Sequence, residues 1–191
     1  MHGAWGGLAQ VAAARGKMDE AVEAAKKAQA MAPLVEYSGL LADLYTVLGR
    51  SEEARKQIEL VDLQAKMEAA SGQKGNRAVA LIFANHNWRL EEAVAVAEAE
   101  ADLAVRKDVF TWDAYSWALL RAGRVQDAGK ASRKALRLGT PDPLLYFHAS
   151  RIAEACGDGA RSAELLGKAL RLNPRFDVLH APGLVSLKES E

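Results

Sequence analysis

The sequence predicts an all-α fold made of repeated helical hairpins, and three observations carry that prediction. First, half of the 191 residues are hydrophobic but only 6% are aromatic, and alanine supplies much of the apolar share. Small side chains let helix axes approach closely, which suits packed helix pairs better than a sheet sandwich, and five prolines with few β-branched runs point the same way. Second, a small residue follows acidic or polar residues in phase: Asp19-Glu20-Ala21, Glu52-Glu53-Ala54, Glu91-Glu92-Ala93 and Gln126-Asp127-Ala128, with a weaker copy at Ala160-Arg161-Ser162. The intervals between these anchors are 33, 39, 35 and 34 residues. Third, Gly16, Gly49, Gly123 and Gly157 stand five residues before four of the anchors, and Asn87 stands six before the third. Glycine or asparagine takes the left-handed conformation that ends a helix. Acidic residues then favour the positive end of the next one, and a small residue follows where the two helices touch. Each unit therefore reads as helix, tight turn, helix, repeated about every 34 residues.

Taken in order, the first unit has Trp5, Leu8, Ala9 and Ala12 on one helix, then Ala21, Ala25, Ala28 and Pro33 on and after the next. The second has Leu41, Ala42 and Tyr45, then Ala54, Ile58 and Val61, with no closing proline. The third, from about Arg77 to Val105, matches least: Ala93 and Ala97 fit, but Glu100 stands where a small residue is expected. A longer preceding helix ending near Ala70, with a connection over Ala70 to Gly75, accounts for the 39-residue interval. The fourth has Trp112, Tyr115 and Leu119, then Ala128, Ser132 and Ala135; the fifth has Tyr146, Ala149 and Ala153, then Ser162, Leu166, Ala169 and Pro174. Beyond Pro174 a short helix interrupted at Pro182-Gly183 is expected to cover the last apolar face with Phe176, Val178 and Leu179. The first unit has no such cover, so the chain reads as a piece of a longer protein.

Other function classes find little support. Lys plus Arg is 25 and Asp plus Glu is 25, giving zero formal charge, so neither phosphate-driven nucleic-acid binding nor attraction to an anionic membrane is expected. No apolar run is long enough to span a bilayer, and MHGAWGG lacks the features of a signal peptide. The single Cys156 pairs with nothing, and His2, His86, His148 and His180 form no ligand pair, so no metal and no cofactor are expected. Ser116, Ser150 and Ser162 fall where small interhelix residues belong, and no glycine-rich phosphate loop is present. The chain is not expected to be an enzyme.

The period and the residues quoted above resemble the tetratricopeptide repeat, whose pattern is W-x2-L-G-x2-Y, then A-x3-F, then P. The resemblance covers roughly residues 2–174. It implies a right-handed α-solenoid of about five TPR-like hairpins plus a short C-terminal capping helix. As one domain over 1–191, its repeats fall at about 2–34, 35–70, 74–106, 109–141 and 143–174, with the cap at 175–191. It also implies a protein-protein interaction scaffold that binds a partner peptide or helix in a concave groove lined by the first helix of each repeat. A structural subunit or assembly factor using convex and end surfaces is the alternative, with self-association through the uncapped N-terminal end as one form of it. The groove candidates are Gln10, Asp43, Asn85, Asp113, Trp117, Arg121, Phe147, Arg151 and Glu154. Trp117 and Phe147 either anchor an apolar group or pack between adjacent repeats. Arg121 and Arg151 suit a forked grip on a carboxylate; alternatively Arg151 pairs with Glu154 or Asp113 and binds nothing. One subfamily grips the C-terminal carboxylate of heat-shock chaperones with lysines and asparagines; the corresponding places here hold Gly6, Gln10, Gly39, Asp43, Ala78 and Ile82, so that function does not carry over.

Overall fold

A computed structural model describes residues 1–72, 75–102 and 108–181, with only the backbone of Asp102. The described residues form ten α-helices and no strand: α1 (His2–Ala14), α2 (Met18–Met31), α3 (Val35–Val47), α4 (Ser51–Ala70), α5 (Arg77–Asn85), α6 (Leu90–Asp102), α7 (Val109–Arg121), α8 (Val125–Ala135), α9 (Pro143–Ala155) and α10 (Gly159–Leu172). A single turn of 3-10 helix, Leu136–Leu138, follows α8. The protein is an all-α helical repeat.

The five hairpins share one turn chemistry. The first helix ends, the next residues turn through a left-handed position, and a backbone N–H closes back five residues: Lys17 to Ala12, Arg50 to Tyr45, Trp88 to Phe83, Arg124 to Leu119 and Asp158 to Ala153, all at 2.8–2.9 Å. Gly16, Gly49, Gly123 and Gly157 supply the positive φ, between 70° and 85°; the third hairpin uses Asn87 at 52° and Arg89 at 43° instead. Asp or Glu occupies the first turn of α2, α4, α6 and α8. Several first helices start on a side-chain cap, with Asn76, Asp108 and Asp142 each accepting from the backbone N–H groups of the following turn.

The chain groups into two compact units, one of residues 1–66 with the tail from Pro174, the other of residues 67–173. The first unit packs around small side chains: Ala9, Ala12, Ala21, Ala24 and Ala25 cluster with Val22, Leu41, Leu44 and Tyr45. The anchor Ala21 is fully buried and Ala54 nearly so. The tail was expected to cover the last repeat. Val178 instead packs against this alanine cluster, and Arg175 Nη1 donates to the Ala14 carbonyl at 2.7 Å. Residues 174–180 are turns and irregular backbone, and the rest of the expected capping helix, 182–191, lies outside the described residues. In the second unit the anchors Ala93 and Ala128 are fully buried, while Ser162 is half-buried. Gly75, with φ of 153°, lies where a Cβ would come within 2.9 Å of the Glu100 backbone, so this connection closes tightly onto α6. Gln73 and Lys74, and the end of the third repeat at 103–105, lie outside the described residues.

Candidate functional site

In the second unit the first helices α5, α7 and α9 pack in succession, which aligns residues about one repeat apart. Trp117 Nε1 on α7 donates to Asn85 Oδ1 on α5 at 2.8 Å. On the other side of α7, Asp113 Oδ2 lies 2.8 Å from His148 Nδ1 on α9. A carboxylate only accepts, so the proton of this bond sits on Nδ1. The His148 ring stacks on Trp117 with centroids 4.2 Å apart and planes 15° from parallel, and Phe147 tilts against both rings. Trp117, Phe147, Asp113 and His148 are 2%, 4%, 5% and 1% exposed. This seam is interior. Of the two roles open to Trp117 and Phe147, the structure shows packing between adjacent repeats, and Asp113 is committed to His148.

Above the seam the helix ends leave an open pocket of about 470 Å³. Asn87 reaches it from the turn after α5, Leu120 and Arg121 from the last turn of α7, and Arg151, Glu154 and Ala155 from the C-terminal part of α9, with Trp117 beneath. Arg121 Nη2 donates to Asn87 Oδ1 at 2.7 Å, and its guanidinium lies 5.6 Å from the Trp117 ring centre. Arg151 pairs with Glu154 at 2.7 Å, both half-exposed. Four sequence candidates therefore meet at one place: Trp117, Arg121, Arg151 and Glu154. Asn85 stands behind Trp117 as its acceptor. Asp43, half-buried on α3, and Gln10, exposed on α1, belong to the first unit.

Two residues that sequence reasoning did not assign to the site take part in it. Asn87 was read only as a turn residue, yet it also holds Arg121. His148 counted in the sequence only as a histidine that forms no ligand pair, yet it ties α9 to α7. A signal existed for both: Asn87 precedes Arg121 by 34 residues and Asp113 precedes His148 by 35, each one repeat length. At the rim of the hairpin, Tyr115 donates to Glu98 Oε1 at 2.8 Å; burial, then this bond to a carboxylate, push its phenol up to about 12. Among the described residues no group of three or more His, Cys, Asp or Glu is placed to hold a metal ion, and no helix is long and apolar enough to cross a membrane.

Comparison with known proteins bears on the fold. Residues 2–33 match the family model described as Tetratricopeptide repeat. The match spans one hairpin, and the four that follow share its period and turn chemistry. Among solved structures it is similar to the putative kinesin light chain nearly identical TPR-like repeats of Podosopora anserina, at 19% identity over 90% of this chain and 94% of that one, with a TM-score of 0.50. It is also similar to MamA MSR-1 C2, at 19% identity over 91% and 97% of the two chains and a TM-score of 0.45. MamA 41-end from Desulfovibrio magneticus RS-1 aligns at 17% identity over 92% and 97%, again with a TM-score of 0.45. No curated protein matches.

Proposed function

We propose that the chain is a non-catalytic protein-interaction scaffold that takes a peptide or helix of a partner at the open pocket of its second unit. The observation that supports this most directly is the meeting of Arg121, Arg151 and Glu154 around an open cavity at the ends of successive first helices. A catalytic reading of the Asp113–His148 pair finds no support. The imidazole is sealed beneath Trp117, and the neighbouring hydroxyls of Ser116 and Ser150 donate to carbonyls of their own helices at 2.8 Å. A nucleophile needs both a base and access to substrate.

Capture of partners by pull-down with mass spectrometry, followed by affinity measurement, tests the proposal. Ala155 is exposed at the pocket wall, so Ala155→Trp fills the cavity without touching a charge. A loss of at least about tenfold in affinity with an unchanged melting temperature is expected. Wild-type affinity would contradict the pocket as the binding place. A second reading, assembly through an end surface, has its own observation: α1 carries no Asp, Glu, Lys or Arg, and Leu8 and Val11 are 50% and 49% exposed on it. Concentration-dependent oligomers abolished by Leu8→Lys would favour that reading.

A further inference from the structure

We propose that the C-terminal ends of α8 and α10 form a surface that docks on a membrane containing anionic phospholipid, separate from the pocket. Zero formal charge over the whole chain conceals an uneven distribution. Residues 128–141 contain Lys130, Arg133, Lys134 and Arg137 and no Asp or Glu; residues 165–173 contain Lys168 and Arg171, again with no Asp or Glu. The last turns of α2, α4 and α6 carry no basic residue, whereas that of α8 holds Arg133 and Lys134 and that of α10 holds Arg171. The run Lys134-Ala135-Leu136-Arg137-Leu138 recurs one repeat later as Lys168-Ala169-Leu170-Arg171-Leu172. The fold places both copies on one edge of the second unit. Lys134 lies 3.9 Å from the ring centre of Trp112, in the first turn of α7, and Lys168 lies 5.8 Å from that of Tyr146, in the first turn of α9. The ends of α8 and α10 therefore stand beside the starts of α7 and α9, which pack against each other, at the edge away from the pocket.

Leu138 is 70% exposed and Leu172 47%, and each directly follows an exposed arginine. Among the described residues no carboxylate pairs with Arg133, Lys134 or Arg171. Asp108 and Asp142, at the same edge, are committed to capping α7 and α9, and Asp108 also faces Arg77 at 3.7 Å. Cations at a helix C-terminus match the helix dipole. That accounts for the charges alone and not for the leucines left in water beside them. A bilayer interface satisfies both, since phosphate headgroups take the cations while apolar tips enter the acyl boundary. A nucleic acid would take the cations and leave both leucines in water. An acidic peptide would need a groove to cover them, whereas Leu138 stands out from the surface.

The test is cosedimentation of the full chain with vesicles of phosphatidylcholine alone and of phosphatidylcholine mixed with phosphatidylserine in a three-to-one ratio. Association with the mixed vesicles only, weakening as salt rises, is expected. Each cation near such a surface strengthens partitioning roughly fivefold, so Arg133→Gln with Arg171→Gln should weaken it roughly twentyfold. Leu138→Ser with Leu172→Ser should weaken it about tenfold. Met31, 49% exposed two residues before Pro33 as Leu172 is before Pro174, lies in a last turn without cations, so Met31→Ser should bind as wild type. All these side chains are exposed, and melting temperatures should not move; if the leucine pair does lower stability, the arginine pair decides alone. No association with the mixed vesicles, equal association with both kinds, or wild-type association by the arginine pair would overturn the proposal. Binding to polyuridylate or polyglutamate that the leucine pair leaves unchanged, with the vesicles ignored, would overturn it too and assign the surface to a polyanion in solution.

Discussion

The two units solve the same packing problem with different side chains. In the first, hairpins meet through alanines, and the largely part-buried polar groups near α2, α3 and α4 satisfy one another. Gln29 Nε2 donates to Ser38 Oγ at 3.0 Å and to Gln57 Oε1 at 2.8 Å, and Gln64 Nε2 donates to the Pro33 carbonyl at 2.7 Å. In the second, the first helices meet through rings, Trp117 on His148 with Phe147 beside them, pinned by Asn85 and Asp113. Alanine contacts bring axes close and fill the space between them. Large rings hold axes further apart and fix them at a few points, and it is at the ends of these ring-packed helices that a pocket opens. The difference teaches that the repeat pattern sets the hairpin, while the residues between first helices decide where a hairpin array has room for a guest.

Substitutions at the seam should separate the units most strongly. Trp117→Ala removes a fully packed ring and leaves Asn85 Oδ1 without its donor, and a loss of about 3–5 kcal/mol is expected. Denaturant unfolding together with hydrogen exchange should show faster exchange in the second unit's amides and little change in the first's; a uniform change across both would break the comparison. The Asp113–His148 bond comes next. His148→Phe strands a buried carboxylate and should cost about 3 kcal/mol or more. Asp113→Leu strands only an N–H and should cost about 1–3 kcal/mol. The double variant should be more stable than the two single losses added together, and additive losses would mean that the pair is not coupled.

A smaller effect should be shared by both units. Ala21 and Ala128 are fully buried at equivalent places, so Ala21→Trp and Ala128→Trp should each lower stability by about 1–3 kcal/mol or more through overpacking. A loss at only one of them would show that the hairpins do not pack alike. The smallest effect is confined to alkaline pH. Tyr115 has its pKa raised by folding from 10.0 to about 12. The neutral phenol is therefore favoured in the native state, and its contribution is complete below pH 10 and lost as pH rises through about 12. Melting curves between those limits should fall for the wild type and flatten for Tyr115→Phe; parallel curves would contradict the assignment.

Much of the fold was legible because turn chemistry is local. The residues Gly16, Gly49, Gly123 and Gly157 announce positive φ in the sequence, and Ala21, Ala54, Ala93 and Ala128 announce close approach. A second regularity was also present in the spacing. Lysine lies over the first-helix aromatic 22 residues before it in three hairpins, Lys27 over Trp5, Lys134 over Trp112 and Lys168 over Tyr146, at 4.5, 3.9 and 5.8 Å. The pocket was legible in part. Adding one repeat length to Asn87 or Asp113 finds Arg121 or His148. The sequence does not say whether Trp117 turns to solvent or to the next helix, because that depends on how α7 and α9 cross, a property of the packed pair. The docking of Val178 on the first unit's alanines was not legible for a related reason. The bond from Arg175 to Ala14 joins residues 161 apart in the chain, and no local pattern encodes so distant a partner.

The central claim is that a partner is held in the second unit's pocket rather than on the exposed face of α1. It is tested most directly by titrating the captured partner, by calorimetry, against wild type, Ala155→Trp and Leu8→Lys. The account predicts that Ala155→Trp loses at least about tenfold in affinity while Leu8→Lys binds as wild type. Undiminished binding by Ala155→Trp, with binding lost in Leu8→Lys, would contradict it and move the interface to the first helix.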